Sequence, residues 1–236
     1  MQMSFIALMK NILKPLKNRL YSLSLYLQNY GDNDVRLNGA NLRKVKIRIK
    51  GSGNKIYIES TQTIENSIID ISANRSIVYI LGGYASNLNI MIMDDGSSVM
   101  IGNKTTINGA EFWVTEGKDI TVGEDCMFAK NIELRTGDNH AIFQSGKRLN
   151  KGGSISIGNH VWVGANAKIM KGVVIPFGSI IGNASLVTKV LEEENAIYVG
   201  IPARLIKSNI CWYGDKKYRL LDRLSVNIDN NNAVGC

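Results

Sequence analysis

Aliphatic residues recur every six positions in the second half of this 236-residue chain. The six that keep this spacing without a slip are Ile157, Val163, Ile169, Ile175, Ile181 and Val187. A helix repeats every 3.6 residues and an amphipathic strand every two, so a period of six matches neither alone. It is typical of a coil with three short flat faces, each with one aliphatic side chain directed at the axis. The repeat therefore predicts an all-β fold of stacked coils that pair as parallel strands.

Upstream of the regular repeat the same spacing holds less strictly. Two triplets are six apart, Ile101-Ile107-Trp113 and one that ends at Leu134. Alternating strand segments with Gly and Asn at their ends begin at 45–49. We expect degenerate coils to start near residue 40 and the coiled domain to span residues 39–200. The tail, 201–236, would then cover one end of the stack or contact a neighbouring subunit.

The N-terminal residues, Met1 to Leu27, interleave apolar and basic residues and contain no acidic one. This pattern predicts an amphipathic helix with a break at Pro15, so we expect residues 1–38 to form a helical segment or cap. The helix could pack on the body of the protein or lie on an anionic membrane surface. No apolar run approaches about 18 residues and no signal-peptide pattern follows. We therefore expect a cytoplasmic protein, with membrane association through the N-terminal segment as the alternative.

Three segments carry a resemblance to a known family: IGNHVWVGANA at 157–167, IGNASLVTK at 181–189 and VGIPAR at 199–204. They resemble the hexapeptide-repeat acyltransferases, and most closely the bacterial capsular or surface polysaccharide O-acetyltransferases. The resemblance covers roughly residues 95–210. It implies a left-handed parallel β-helix, a homotrimer with active sites at subunit interfaces, and acetyl-CoA as the co-substrate.

The regular spacing fails once, because Leu134 is followed by Ile157 where a step of six is expected. The excess residues, 136–153, must leave the stack as a protruding loop, and such loops often carry function. The loop contains His140, and neutral imidazole can accept a proton near pH 7. In the family that the chain resembles, a loop histidine beside an asparagine is the catalytic base. The resemblance therefore implies this role for His140, which follows Asn139. The second histidine, His160, is the competing candidate for the base or for a ligand contact.

Strand alternation directs Trp162 outward, since Val163 after it points inward. The resemblance implies that Trp162 lines the cleft for acetyl-CoA and the acceptor, and packing at a subunit interface is the alternative. It also implies that coil amides bind the pantetheine arm and stabilise the oxyanion. The residues that match these positions are Gly164, Ala165 and Ala184. For the phosphates of coenzyme A the matching cations are Lys189, Arg204 and Lys207, which could also be simply solvated.

Charge and histidine content exclude some functions. Two histidines cannot supply a three-histidine zinc site, and we predict no metal. The net charge is +8, and alternation in 44–50 predicts a basic stripe that an anionic polysaccharide or membrane surface would fit. No stacking platform accompanies this charge, so we expect no nucleic-acid partner. Three widely spaced cysteines predict reduced thiols rather than a disulfide framework.

The predicted function is transfer of acetyl from acetyl-CoA to a hydroxyl of a sugar or of a capsular or surface polysaccharide. His140 would act as the general base in a direct attack. Two alternatives stay open at this point. One is N-acetylation of an amino sugar on the same fold, and the other is a non-catalytic β-helix that serves as a scaffold or glycan-binding module.

Overall fold

The structure is a computed structural model that describes residues 19–21, 25–59 and 63–214. These residues contain strands and no helix. In chain order the strands are β1 Arg19–Tyr21, β2 Leu25–Asn29, β3 Asp34–Arg36, β4 Asn41–Arg43, β5 Val45–Ile49, β6 Lys55–Ile58, β7 Thr63–Glu65, β8 Ile68–Ile71, β9 Ile77–Ile80, β10 Ala85–Ser86, β11 Leu88–Ile92, β12 Ser98–Ile101, β13 Thr106–Ile107, β14 Ala110–Val114, β15 Asp119–Val122, β16 Met127–Phe128, β17 Ile132–Arg135, β18 Phe143–Gln144, β19 Lys147–Arg148, β20 Ile155–Ile157, β21 Trp162–Val163, β22 Lys168–Ile169, β23 Val174–Ile175, β24 Ile180–Ile181, β25 Leu186–Val187, β26 Ile197–Gly200 and β27 Ala203–Lys207.

Three parallel sheets form the three faces of a solenoid that winds about eight times. Face 1 has the order β2-β5-β8-β11-β14-β17-β22-β25, and β1 adds to it antiparallel. Face 2 has the order β3-β6-β9-β12-β15-β20-β23. Face 3 has the order β4-β7-β10-β13-β16-β21-β24-β26, and β27 adds to it antiparallel. We name the corners after the faces that they join, edge 1–2, edge 2–3 and edge 3–1.

Inward side chains stack from coil to coil and fill the solenoid. On face 1 one such column pairs residues in register between neighbouring strands, and each member is at most 2% exposed: Ile47, Ile69, Ile90, Phe112, Leu134, Ile169 and Val187. Burying such side chains removes apolar surface from water, which is the main source of stability here. All six residues of the regular repeat are buried, so their predicted inward positions are confirmed.

Trp113 departs from the predicted pattern. Its neighbours Phe112 and Val114 are fully buried, while Trp113 lies on the outer side of β14 with Arg135 over its ring. The predicted inward position of Trp113 is therefore wrong. The reason is coil length, because 22 residues separate the paired Ile90 and Phe112, a spacing that is not a multiple of six. The extra corner residues shift the phase of the hexad in the early coils.

The predicted helical segment at 1–38 is not shown. Residues 19–21, 25–29 and 34–36 within it are strands, and the face strands begin at Leu25. Residues 1–18 and 22–24 lie outside the described residues. None of the described residues forms a helix that is long and apolar enough to span a membrane.

Beyond β27 the chain turns back along the outside of its own solenoid. The N–H of Ile210 donates to the carbonyl of Asn195 at 2.8 Å, and Trp212 packs on His160. Residues 208–214 therefore form a strap that runs along edge 2–3. The remaining tail, 215–236, lies outside the described residues.

The predicted basic stripe is partly neutralised. Arg48 forms an ion pair with Asp70 on the neighbouring strand, and Lys46 lies over the ring of Tyr26 at 5.6 Å.

Cys126 is a free thiol, and burial raises its pKa to about 11.

Candidate active site

The break in the repeat is a loop at edge 1–2. It leaves the stack after β17, carries the antiparallel hairpin β18–β19 and rejoins at β20. The N–H of Gly153 donates to the carbonyl of Thr136 at 2.9 Å and closes the base of the loop. His140 is exposed on this loop, and its imidazole has no hydrogen-bond partner among the described residues. The protrusion of residues 136–153 agrees with the prediction.

One side chain, that of Asn150, fixes the backbone on both sides of His140. Its Nδ2 donates to the carbonyl of His140 at 2.7 Å and to Oδ2 of Asp138 at 2.8 Å. Its Oδ1 accepts the N–H of Ile142 at 2.7 Å. The Asp138 carboxylate is engaged by Asn150 and Lys171 rather than by the imidazole. The imidazole is therefore carried on a fixed backbone with both of its nitrogens available.

Two ion pairs anchor the loop to the coils on either side. Lys171, in the following coil, pairs with Asp138 and donates to the carbonyl of Asn150 at 3.3 Å. The hydrogen bond from Lys171, with a second from Asn150, lowers the pKa of Asp138. In the preceding coil Glu116 accepts the N–H of Gly152 at 3.0 Å and pairs with Arg148. The hydrogen bond from Gly152 is the main reason that the pKa of Glu116 is lowered, and the hydrogen bond from Arg148 is the second.

Glycine is required where the loop passes close to the preceding coil. A Cβ at position 137 would lie 2.5 Å from Oγ1 of Thr115, and one at position 152 would lie 3.0 Å from the carbonyl of Thr136. The first distance is shorter than real Cβ contacts, and the second is tighter than most of them. Gly137 and Gly152 therefore let both stems of the loop sit directly on the solenoid.

A cleft of about 430 Å³ lies beneath the loop. Asn139 and Ala141, the two neighbours of His140, line it from the loop side. The other lining residues belong to the two preceding corners of edge 1–2 and to the hairpin: Met93, Asp94, Thr115, Glu116 and Arg148. A cavity of this size is in the range of small-molecule sites.

The second histidine occupies a different edge and is fully engaged. His160, at edge 2–3, has Nδ1 2.9 Å from Oδ2 of Asp125 and Nε2 3.1 Å from the carbonyl of Trp212. Its ring stacks on Trp212 with centroids 4.1 Å apart, and Trp212 Nε1 donates to the His160 carbonyl. With both nitrogens engaged, His160 has no free position to accept a proton from a substrate. Trp212 was not among the predicted site residues.

Trp162 points outward on face 3, as alternation predicts, and is 39% exposed. Its ring lies 6.0 Å from that of Trp212, and its strand neighbours in the same column are Met127 and Ile180. Face 3 does not border edge 1–2, where His140 lies. One chain therefore does not bring Trp162 and His140 together.

The predicted coil amides lie at edge 3–1, and their N–H groups already have acceptors. Gly164 donates to the carbonyl of Ile181 at 2.8 Å, Ala165 to Oδ1 of Asn183 at 2.9 Å, and Ala184 to the carbonyl of Ala165 at 2.8 Å. None of the three is a free donor for an oxyanion in this chain. Contact of these three residues with the pantetheine arm stays a prediction.

The predicted phosphate-binding cations are exposed near the C-terminal end of the solenoid. Arg204 and Lys207 lie on β27, and Lys189 follows β25. Within the described residues, no group of three histidine, cysteine or acidic side chains could hold a metal ion.

A three-faced parallel solenoid with a histidine-bearing loop is the architecture that the sequence resemblance to hexapeptide-repeat acyltransferases implies. No family model matches the chain. The polysialic acid O-acetyltransferase of Neisseria meningitidis is 32% identical over 197 residues, which cover 82% of this chain and 91% of that protein. The solved structure of the polySia-specific acetyltransferase NeuO is 32% identical with a TM-score of 0.67, over 86% of this chain and 88% of that one.

A second solved structure, of the polysialic acid O-acetyltransferase OatWY, is 29% identical with a TM-score of 0.62 and covers 83% of this chain and 99% of that one. The chain belongs to the hexapeptide-repeat acetyltransferase family, which includes these polysialic acid O-acetyltransferases. Its solenoid matches the left-handed β-helix that the sequence resemblance implies.

Proposed function

We propose that the protein transfers acetyl from acetyl-CoA to a hydroxyl of a sugar unit in a capsular polysaccharide, with polysialic acid as the first acceptor to test. The observation that carries the proposal is the imidazole of His140, which has no hydrogen-bond partner among the described residues and is held on an anchored loop above a cleft. The relatives named for polysialic acid support an acidic acceptor. The net charge of +8 is compatible with it.

His140 supplies the step that a hydroxyl cannot perform alone. The neutral imidazole takes the hydroxyl proton as that oxygen attacks the thioester carbonyl carbon. A new ester bond forms, the carbon–sulfur bond breaks, and the proton passes from the imidazolium to the departing thiolate of coenzyme A. No covalent enzyme intermediate is needed. The exposed cations Lys189, Arg204 and Lys207 are the proposed contacts for the phosphates of coenzyme A.

The assembly that we propose is a homotrimer with active sites between subunits. The hairpin of the loop exposes three apolar side chains, Ile142, Phe143 and Leu149, and Phe143 is 63% exposed. An exposed apolar cluster on a protruding loop is typical of a contact surface. In a closed ring the loop of one chain would reach face 3 of its neighbour, which would place His140 beside Trp162.

The location of the protein in the cell is also a proposal. We propose the cytoplasm, where acetyl-CoA is made and used, and keep peripheral contact of the N-terminal residues with a membrane as the alternative. Fractionation of cells that express the full chain would separate the two.

The two histidines provide a matched test of the catalytic base. Incubation with labelled acetyl-CoA and a panel of capsular polysaccharides, polysialic acid included, should give alkali-labile label in the polymer. His140→Ala should lower turnover roughly 10²–10⁴-fold with the assembly intact. His160→Asn, which leaves the loop untouched, should retain most of the activity. Turnover within a few-fold of wild type for His140→Ala would exclude His140 as the base.

A further inference from the structure

Two residues that line the cleft beneath the His140 loop each have a buried polar atom without a partner in the described part of the chain. Thr115 is 4% exposed, and its Oγ1 has no hydrogen-bond partner among the described residues. The Nε of Arg148 is buried and also lacks a partner there. A buried polar atom without a protein partner is costly, so such an atom usually binds water or a ligand.

Asp94 adds a hydrogen-bond acceptor whose position is fixed. Its Oδ2 accepts the N–H of Glu116 at 2.6 Å, which holds the carboxylate at the corner. Its Oδ1 has no partner within the described part of the chain. Glu116, by contrast, is fully engaged, because Arg148 binds one of its oxygens and the N–H of Gly152 binds the other.

The charges of the cleft restrict what it can hold. Two carboxylates, Asp94 and Glu116, face one guanidinium, Arg148. A carboxylate of an acidic sugar would be repelled by this arrangement. Hydroxyl groups would not be, since they can donate to a carboxylate and accept from a guanidinium or a threonine hydroxyl. The apolar side chains of Met93 and Ala141 would meet the C–H groups of a sugar ring.

From these contacts we infer that the cleft is the acceptor subsite and binds the uncharged, hydroxyl-bearing part of one sugar unit. Asp94 accepts from a sugar hydroxyl through Oδ1, while Arg148 and Thr115 donate. The acid group of the acceptor points away from this cleft. The inference rests on the proposed function, because it identifies where the acceptor of that reaction binds. Asp94 and Arg148 then determine acceptor specificity, whereas His140 performs the proton transfer.

The chain offers a matched control in the adjacent carboxylate. Asp95 accepts the N–H of Asn74 at 2.8 Å, pairs with Arg75 and does not line the cleft. Asp94→Asn should raise the KM for short polysialic acid oligomers about 10- to 100-fold, the cost of one hydrogen bond to a charged group. The KM for acetyl-CoA should not change. Asp95→Asn should leave both constants as in wild type.

Arg148→Lys is the second variant, because it keeps the positive charge beside Glu116 but removes Nε. It should also raise the acceptor KM without changing the KM for acetyl-CoA. Thermal unfolding of all three variants would show that each is folded. An acceptor KM for Asp94→Asn equal to that for Asp95→Asn would overturn the inference.

Direct binding separates this inference from the proposed function. Saturation-transfer NMR with the same oligomers should detect binding to wild type and loss of it in Asp94→Asn. Binding that depends on Asp94 without acetyl transfer would support the subsite and contradict the proposed activity. Acetyl transfer with unaltered binding to Asp94→Asn would support the activity and contradict the subsite. Absence of both binding and transfer in wild type would contradict both.

Discussion

The two histidines of the chain differ in what their imidazoles contact. The ring of His160 lies between an acidic side chain and an aromatic side chain and uses both nitrogens. The ring of His140 forms no hydrogen bond through either nitrogen within the described part of the chain, although its backbone is fixed by Asn150. A base has to be held in place and yet have a free nitrogen, and only His140 combines the two. The structure thereby gives a physical reason to prefer His140, where the sequence offered its place in a loop and the resemblance of the Asn139-His140 pair.

Asn150 should act as a positioning residue for His140. Asn150→Ala removes the three hydrogen bonds around His140, and a small displacement of a catalytic group is costly, so kcat should fall about 10- to 100-fold. The KM for acetyl-CoA should change little. The deciding measurement is the double variant with His140→Ala. Residues that act through one another are not additive, so Asn150→Ala should cause no further loss in that background. A further loss would mean that Asn150 acts on something else.

At the scale of elements, the loop depends on carboxylates whose ionised forms are stabilised by the fold. The pKa values of Asp138 and Glu116 are both lowered in the folded chain. A carboxylate with a lowered pKa contributes its full stabilisation to the folded loop above the ordinary carboxyl pKa of about 4. This contribution is lost as the pH falls through the lowered pKa of the folded state. The anchorage of the loop is therefore complete near neutral pH and fails in acid.

Hydrogen exchange, expressed relative to the intrinsic rate, can measure this directly. The N–H groups of Ile142 and Gly152, which both donate to loop-anchoring side chains, should keep constant protection from about pH 5 to 8. Their protection should fall below about pH 4, before that of the solenoid amides is affected. The N–H of Trp162, bonded to the carbonyl of Ser179, is the internal reference. Loss of loop and solenoid protection at the same pH would refute separate anchorage.

The elements differ in how well the sequence predicts them. From Ile157 to Val187 every coil has the same length, so the hexad alone identifies the buried residues correctly. In the earlier coils additional corner residues shift the phase of the six-residue repeat. The repeat therefore predicts an inward position for Trp113, which in fact lies on the outer side of its strand. The strand at Leu25–Asn29 has a period-two signal, because Leu25 and Leu27 alternate with Tyr26 and Gln28, but the basic and apolar residues upstream led to a helical interpretation of the whole segment.

The residues of the site are also only partly predictable from the sequence, because some of them meet only through long-range contacts. His140 is predictable because an insertion in a regular repeat marks it. Asn150 is not, since its role exists only after the loop folds back over ten residues. Trp212 meets His160 across 52 residues of chain, a contact that no local pattern encodes. Long-range contacts of this kind depend on tertiary packing rather than on spacing.

For the whole molecule, the triangular cross-section limits what one chain can do. His140, Trp162 and the glycine corner at Gly164 lie on separate parts of the perimeter, and the core between them is filled with aliphatic side chains. A rigid solenoid cannot bend to bring these parts together. A site that uses both His140 and Trp162 therefore needs two chains, with the loop of one against face 3 of the next.

Mixed trimers test this arrangement. His140→Ala and Trp162→Ala should each be nearly inactive alone, since each variant lacks one component at every interface. Unfolding the two together and refolding them gives interfaces in which one chain contributes His140 and its neighbour contributes Trp162. With equal amounts and random assembly, about a quarter of the sites would have both residues, so about a quarter of wild-type activity should return. Refolding each variant alone is the control and should restore none. If the mixture stays as inactive as its components, His140 and Trp162 do not act together across a subunit interface.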